Sequence, residues 1–188
     1  MTPNRELGHG RTVRESGGVA SGWLNERSRN GGVDEIPLPS SPGRLWLCGK
    51  HFVGPDVEAA LERTGAASVV CLNEAAELRG RYPGYVAWLE AHVGDRAIWF
   101  PIHDLHAPDL EAVRPLLADL GARLGRGDSL LLHCGAGVGR AGTIAASLLL
   151  GLGLPLAEAL AVVAAHRPTA GPQTDVQADF LVALAAAG

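Results

Sequence analysis

The sequence predicts an α/β domain with a mainly parallel central sheet flanked by helices. Three observations predict it. Short apolar, β-branched runs alternate with longer segments of helical periodicity. One run, "SLLLH" (129–133), is apolar almost throughout, as a central parallel strand covered on both faces must be. That run passes through a glycine loop directly into an apolar helix, the strand–loop–helix unit from which parallel sheets are built.

Residues 1–32 are rich in Gly, Arg, Ser and Asn, with Trp23 and Leu24 as the only notable apolar pair. Such a segment buries too little surface to offset its ordering entropy, so 1–32 is expected to be a disordered tail and 33–188 the folded domain. Pro37, Pro39 and Pro42 punctuate an extended lead-in. "RLWLC" (44–48) reads as a strand. "PDVEAALERTG" (55–65) reads as a helix, with Pro55 at its first position and Gly65 ending it. "ASVVCL" (67–72) is the next strand. "NEAAEL" and "GYVAWLEAH" read as two short helices parted by the Tyr82-Pro83 break, and "AIWFPI" (97–102) as a third strand. "DLEAVRPLLADLGARLG" (109–125) has apolar residues at helical spacing. Beyond the glycine loop, helices are expected at about 140–152, 155–166 and 175–187, the last starting at Thr174.

The bulk composition narrows the function classes. The net charge is −4, with Lys50 as the only lysine among fifteen arginines, so no general basic surface for nucleic acid or an anionic membrane is expected. No uninterrupted apolar run approaches the roughly eighteen residues of a membrane span, and the N-terminal residues lack a signal peptide's apolar stretch. Cys48, Cys71 and Cys134 are widely spaced and form no C-x-x-C pair, which points away from a disulfide framework or a zinc site. No metal or other cofactor is implied, and a reducing cytoplasm is the expected setting.

The chemistry concentrates in "LLHCGAGVGRAGT" (131–143), where two patterns overlap. Gly137-Val138-Gly139-Arg140-Ala141-Gly142 spells the dinucleotide fingerprint. That motif needs a second strand and an acidic residue about twenty positions on, whereas this chain continues as helix. His133-Cys134 followed, after five residues, by Arg140 spells a phosphate cradle with a nucleophile at its base. A tight loop between a buried strand and a helix turns successive backbone N–H groups inward, here those of Gly135, Ala136, Gly137, Val138, Gly139 and Arg140. The planar fork of Arg140 suits two phosphate oxygens. The same positive field favours the thiolate of Cys134, the nucleophilic form.

"HCGAGVGRAGT" resembles the signature loop of the cysteine-dependent protein tyrosine and dual-specificity phosphatases, and the resemblance extends over most of residues 44–183. The size is similar to that of the compact, atypical dual-specificity group. "FPIHDLHAP" resembles the loop that bears the general acid, which implies that role for Asp104. Asp109 is the rival, with helix capping as its more natural use. "RPTAGPQTDVQADFL" resembles the C-terminal segment whose glutamine orients water, here Gln177. Thr174 and Gln177 also fit a capping box, so both uses stay open. His133 is expected to order the loop, and His103 and His106 to flank the acid. Cys71 is expected in the core, with a reversible disulfide to Cys134 as its second reading.

One position departs from the family pattern. The serine or threonine that usually follows the arginine is Ala141 here, with Thr143 two residues on. The resemblance implies that breakdown of a phosphoenzyme is slowed. It also implies a phosphorylated protein or other phosphomonoester as substrate. The cradle carries no lysine, which suits a singly phosphorylated substrate. The alternatives are a catalytically weak phosphate-binding pseudophosphatase, and a phosphatase of RNA 5′ ends or phospholipids on the same scaffold.

Overall fold

The computed structural model describes residues 32–187, so the expected tail lies outside it except for Gly32. Among these residues are five strands: β1 (Val33–Ile36), β2 (Arg44–Gly49), β3 (Ser68–Cys71), β4 (Ala97–Trp99) and β5 (Ser129–Cys134). They form one sheet in the order β1-β2-β5-β3-β4. β2, β5, β3 and β4 run parallel, and β1 closes the edge antiparallel to β2. The mainly parallel sheet is as the sequence predicts, and the apolar β5 lies at its centre.

Two differences have physical causes. The segment "VDEI", read as an extended lead-in, is the strand β1, with Val33 opposite Cys48 and Ile36 opposite Leu45. Its two acidic residues suit an edge position and hide its strand character in the sequence. The third strand, expected to reach Ile102, ends at Trp99. Pro101 carries no N–H and ends the regular ladder, although Phe100 and Ile102 still donate to the carbonyls of Cys71 and Leu72.

Eight helices are described: α1 (Lys50–Val53), α2 (Val57–Thr64), α3 (Ala75–Arg79), α4 (Pro83–His92), α5 (Leu110–Gly125), α6 (Gly139–Gly151), α7 (Leu156–His166) and α8 (Asp175–Ala186). Side chains set their ends. Asp56 accepts from the Ala59 amide to cap α2, and Gly65 ends that helix in the left-handed region at φ +62°. Asp109 accepts from the Glu111 and Ala112 amides at the start of α5, so it is a cap. The single turn α1, directly after β2, carries no periodic signal and escapes the sequence reading.

Alternate residues of the strands feed two cores. Leu130, Leu132, Leu45 and Val70 face α5–α8 through Val113, Leu120, Ile144, Val163 and Leu181. Leu131, Val69, Cys48 and Cys71 face α2 and α4 through Leu61, Tyr85 and Leu89. Burying each large side chain contributes roughly 1.5–3 kcal/mol, so the two layers fix the sheet and hence the position of every loop at its C-terminal edge. Among the described residues, no helix is long and apolar enough to cross a membrane.

Candidate active site

Parallel strands end at one edge, and the loops that follow them converge there. Lys50 follows β2, the segment 73–77 follows β3, Asp104 follows β4, and Cys134 ends β5. The register places Gly49 beside Cys134 and Cys71 beside His133. Together with the start of α8, these loops enclose a cavity of about 420 Å³. Cys134, Arg140, Asp104 and Gln177 all line it, with Gly135, Ala136 and Gly139 from the loop.

The loop from Cys134 to Arg140 is held from outside by its carbonyls. Gly135 O accepts from the Lys50 amide, and Val138 O from the Gly142 and Gly171 amides. Arg167 binds the next two: Nε donates to Gly137 O at 2.6 Å and Nη2 to Ala136 O at 2.8 Å. With these carbonyls turned to their partners, the trans peptides turn the N–H groups of 136–139 the other way. Gly137 has φ +71°, and a Cβ there would collide with the Cys48 carbonyl, so only glycine fits.

Arg167 is fully buried. Its Nη1 also donates to Leu47 O and pairs with Asp34 Oδ2 at 2.6 Å. Asp34 stands on β1, so the antiparallel edge strand supplies the counter-charge of the arginine that braces the loop. The sequence reading missed both residues.

Arg140 is buried at the start of α6, and its guanidinium meets two carboxylates. Glu77 receives it fork to fork, Nη1 to Oε1 at 2.7 Å and Nη2 to Oε2 at 2.9 Å. Asp104 Oδ1 is 2.9 Å from Nη2, and the Ile102 carbonyl accepts from Nη1 at 2.8 Å. Glu77 has further donors in the Glu74 amide and Asn73 Nδ2. Burial acts to raise its pKa, but Arg140 and these donors outweigh it and bring the carboxyl down to about 2. Arg140 is shifted up: burial works against its charge, while the Glu77 bond, Cys134 and Asp104 work for it.

Behind the loop, His133 is fully buried, and its Nε2 lies 2.6 Å from the hydroxyl of Tyr85. Burial pulls the His133 pKa down to about 4, with the nearby Arg140 cation adding to the effect and the Cys134 backbone opposing it. Burial likewise pushes the Tyr85 hydroxyl well up. At neutral pH both are uncharged, and the His133–Tyr85 contact joins two neutral groups. Cys71 packs in the core, where burial pushes its thiol up to about 12. Among the described residues, all three cysteines are free.

Gln177 is buried, and its amide is engaged at both ends. Oε1 accepts from the Gln173 amide and Nε2 donates to the carbonyl of His106. Thr174 caps α8 by accepting from the Gln177 amide, and its hydroxyl donates to the carbonyl of Leu105. The start of α8 therefore docks the loop that carries Asp104. His103 and His106 flank Asp104 with ring centroids 4.8 Å apart, and His103 pairs with Glu74 at 3.0 Å. Asp104 itself is mostly exposed at the cavity mouth. Ala141 and Thr143 are buried on α6, with Ala141 in the core.

Among the described residues, no cluster of His, Cys, Asp and Glu could hold a metal ion. The residues that the sequence singles out, Cys134, Arg140, Asp104 and Gln177, come together. Glu77, Arg167, Tyr85 and Lys50 are additions that only the fold reveals.

A profile described as "PTP-SAK: Swiss Army Knife protein, DSP-PTPase phosphatase domain" matches residues 41–179. Among solved structures, the active form of Tk-PTP is 27% identical with a TM-score of 0.61, covering 81% of this chain and 96% of that one. Human DUSP28 is 24% identical with a TM-score of 0.62, covering 82% and 93%. Kinase associated phosphatase, solved with its catalytic-site cysteine changed to serine, is 20% identical with a TM-score of 0.66, covering 80% and 91%. No curated protein matches the chain.

Proposed function

Because the chain belongs to the PTP-SAK family of DSP-PTPase phosphatase domains, we propose that it hydrolyses phosphomonoesters through a covalent intermediate on Cys134. The observation that carries this reading is the shared cavity of Cys134, Arg140 and Asp104, floored by a loop whose carbonyls at 135–138 each accept a hydrogen bond.

The scissile phosphate sits over Cys134, its equatorial oxygens on the loop amides of 135–140 and on Arg140. It displaces Asp104 from the guanidinium, which Glu77 keeps in place. The thiolate sulfur attacks phosphorus, and the P–O bond to the leaving group breaks. Asp104, in its acid form, gives its proton to the departing oxygen. In the second step Asp104 takes a proton from water, the resulting oxygen attacks phosphorus, the S–P bond breaks, and inorganic phosphate leaves. His133, Tyr85 and Arg167 hold the loop in shape, and Gln177 holds the Asp104 loop. The substrate is a phosphorylated protein or other phosphomonoester, and a reaction that depends on a free thiol fits a reducing cytoplasm.

The test is steady-state hydrolysis of 4-nitrophenyl phosphate by the full chain and by Cys134→Ser and Arg140→Lys. Turnover that disappears in the first and falls at least about a hundredfold in the second supports the reading. Turnover that survives Cys134→Ser overturns it.

A further inference from the structure

Lys50 is the only lysine in the chain, and the fold delivers it to the cavity that holds Cys134, Arg140 and Asp104. It comes from outside the cradle, directly after β2. Its backbone N–H donates to Gly135 O at 3.0 Å, which ties its position to the loop. Its ammonium donates to the main-chain carbonyl of Glu77 at 3.0 Å. An ammonium has three N–H donors, and that carbonyl takes one.

The charges in the cavity decide what Lys50 is for. Arg140 already has Glu77 against both of its outer nitrogens and Asp104 against one. Among the described residues, Lys50 is in no ion pair. His51, its neighbour on the lining, has its pKa lowered by burial and by the Arg81 and Lys50 cations, so it adds no charge at neutral pH. Among the described residues, Lys50 is thus the lining cation with no carboxylate against it. It also stands apart from the phosphate seat. Arg140 is held by the carboxylate of Glu77 and Lys50 by its main-chain carbonyl, so one glutamate side chain separates the two cations. Gln173, Gln177 and Leu105 also line the cavity, and among the described residues the lining has no phenyl, phenol or indole ring to stack on an aryl ester.

We propose that Lys50 is a specificity-determining residue, which binds a second anionic group, carboxylate or phosphate, beside the scissile phosphate of a compact, non-aromatic phosphomonoester. This rests on the phosphatase reading above. It revises the expectation of a singly phosphorylated substrate, which counted lysines only within the loop.

Two matched pairs test it: glycerol 3-phosphate against 3-phosphoglycerate, and propane-1,3-diol monophosphate against its bisphosphate. The first pair probes a carboxylate and the second a phosphate. The full chain should favour the doubly anionic member of at least one pair by about tenfold or more in kcat/KM, the worth of one charge-assisted hydrogen bond. That ratio should fall to near one in Lys50→Met and return in Lys50→Arg. A merely structural lysine would lower both members alike and leave the ratio unchanged. A ratio near one in the unaltered protein, or one that survives Lys50→Met, overturns the inference. Parallel hydrolysis of 4-nitrophenyl phosphate separates the two failures. If it is Cys134-dependent without the preference, only the inference falls; if it is absent, the phosphatase reading falls and the inference with it.

Discussion

Glu77 faces Arg140 fork to fork, with both oxygen–nitrogen distances under 3 Å, 2.7 and 2.9 Å. The pair lies at the wall of the cavity, with the arginine buried and the glutamate only partly exposed. It fixes the plane of the guanidinium before any phosphate arrives, so no rotamer search is left for the binding step. Glu77→Ala should leave a buried guanidinium held by Asp104 and carbonyls alone. We expect a loss of about 2–3 kcal/mol in urea unfolding, less than a fully buried pair would give, and a fall of roughly a hundredfold in kcat/KM on 4-nitrophenyl phosphate. Wild-type kinetics in the variant would show that Arg140 needs no partner.

Arg167 braces the same loop from below. Arg167→Met should leave the Ala136 and Gly137 carbonyls without this donor in the interior and take away the guanidinium paired with Asp34. The expected cost is about 3–5 kcal/mol in the same unfolding assay, with activity lost alongside. Asp34→Asn keeps a hydrogen bond to Arg167 and should cost less. Equal costs for the two would mean that the ion pair, not the bracing of the carbonyls, carries the effect.

Two groups link stability to acid. His133 falls from 6.5 to about 4 on folding, so its contribution is complete above about 6.5 and is lost as pH drops toward 4. Glu77 falls from 4.5 to about 2, so its contribution holds above about 4.5 and is lost between there and 2. Unfolding free energy should therefore decline in two stages, the first worth about 3 kcal/mol from His133 alone. His133→Asn should remove most of the first stage, leaving the smaller share of His51, whose pKa burial also lowers, and keep the second. A stability profile flat between about pH 6.5 and pH 4.5 would contradict the assignment.

How much of this was legible in the sequence depends on where each signal lies. Cys134 and Arg140 sit in a local pattern, a buried strand, a glycine loop and a helix, and adjacent letters record it. Asp104 is legible because it follows a strand, and strand ends share an edge. Glu77, Arg167 and Lys50 come from three other elements, and each looks like an ordinary charged surface residue in its own segment. Glu77 sits in "NEAAEL", where an early glutamate reads as helix capping, which it also does through the Glu74 amide. Arg167 is fully buried, and no periodicity marks a buried arginine in a turn. The Gln177 segment reads two ways because both are physical: its backbone is capped by Thr174 while its side chain docks the Asp104 loop.

Asp104→Asn separates acid catalysis from binding. With 4-nitrophenyl phosphate, whose leaving group departs readily, the loss in kcat/KM, which reports the first step, should be small. With an alkyl phosphate, which needs the proton, it should reach about a hundredfold to ten-thousandfold. Equal losses on the two esters would assign Asp104 to positioning Arg140 and not to proton transfer.

The most direct measurement is rapid mixing of the full chain with 4-nitrophenyl phosphate at about pH 6, with Cys134→Ser as control. Ala141 stands where the related enzymes' pattern has a hydroxyl, so breakdown of the phosphocysteine should be the slow step. A burst of nitrophenol close to one equivalent per chain should appear, then a slower steady rate. Ala141→Ser should speed that rate, and Cys134→Ser should lack the burst. A folded protein that shows neither burst nor turnover, or a burst that persists in Cys134→Ser, would contradict it.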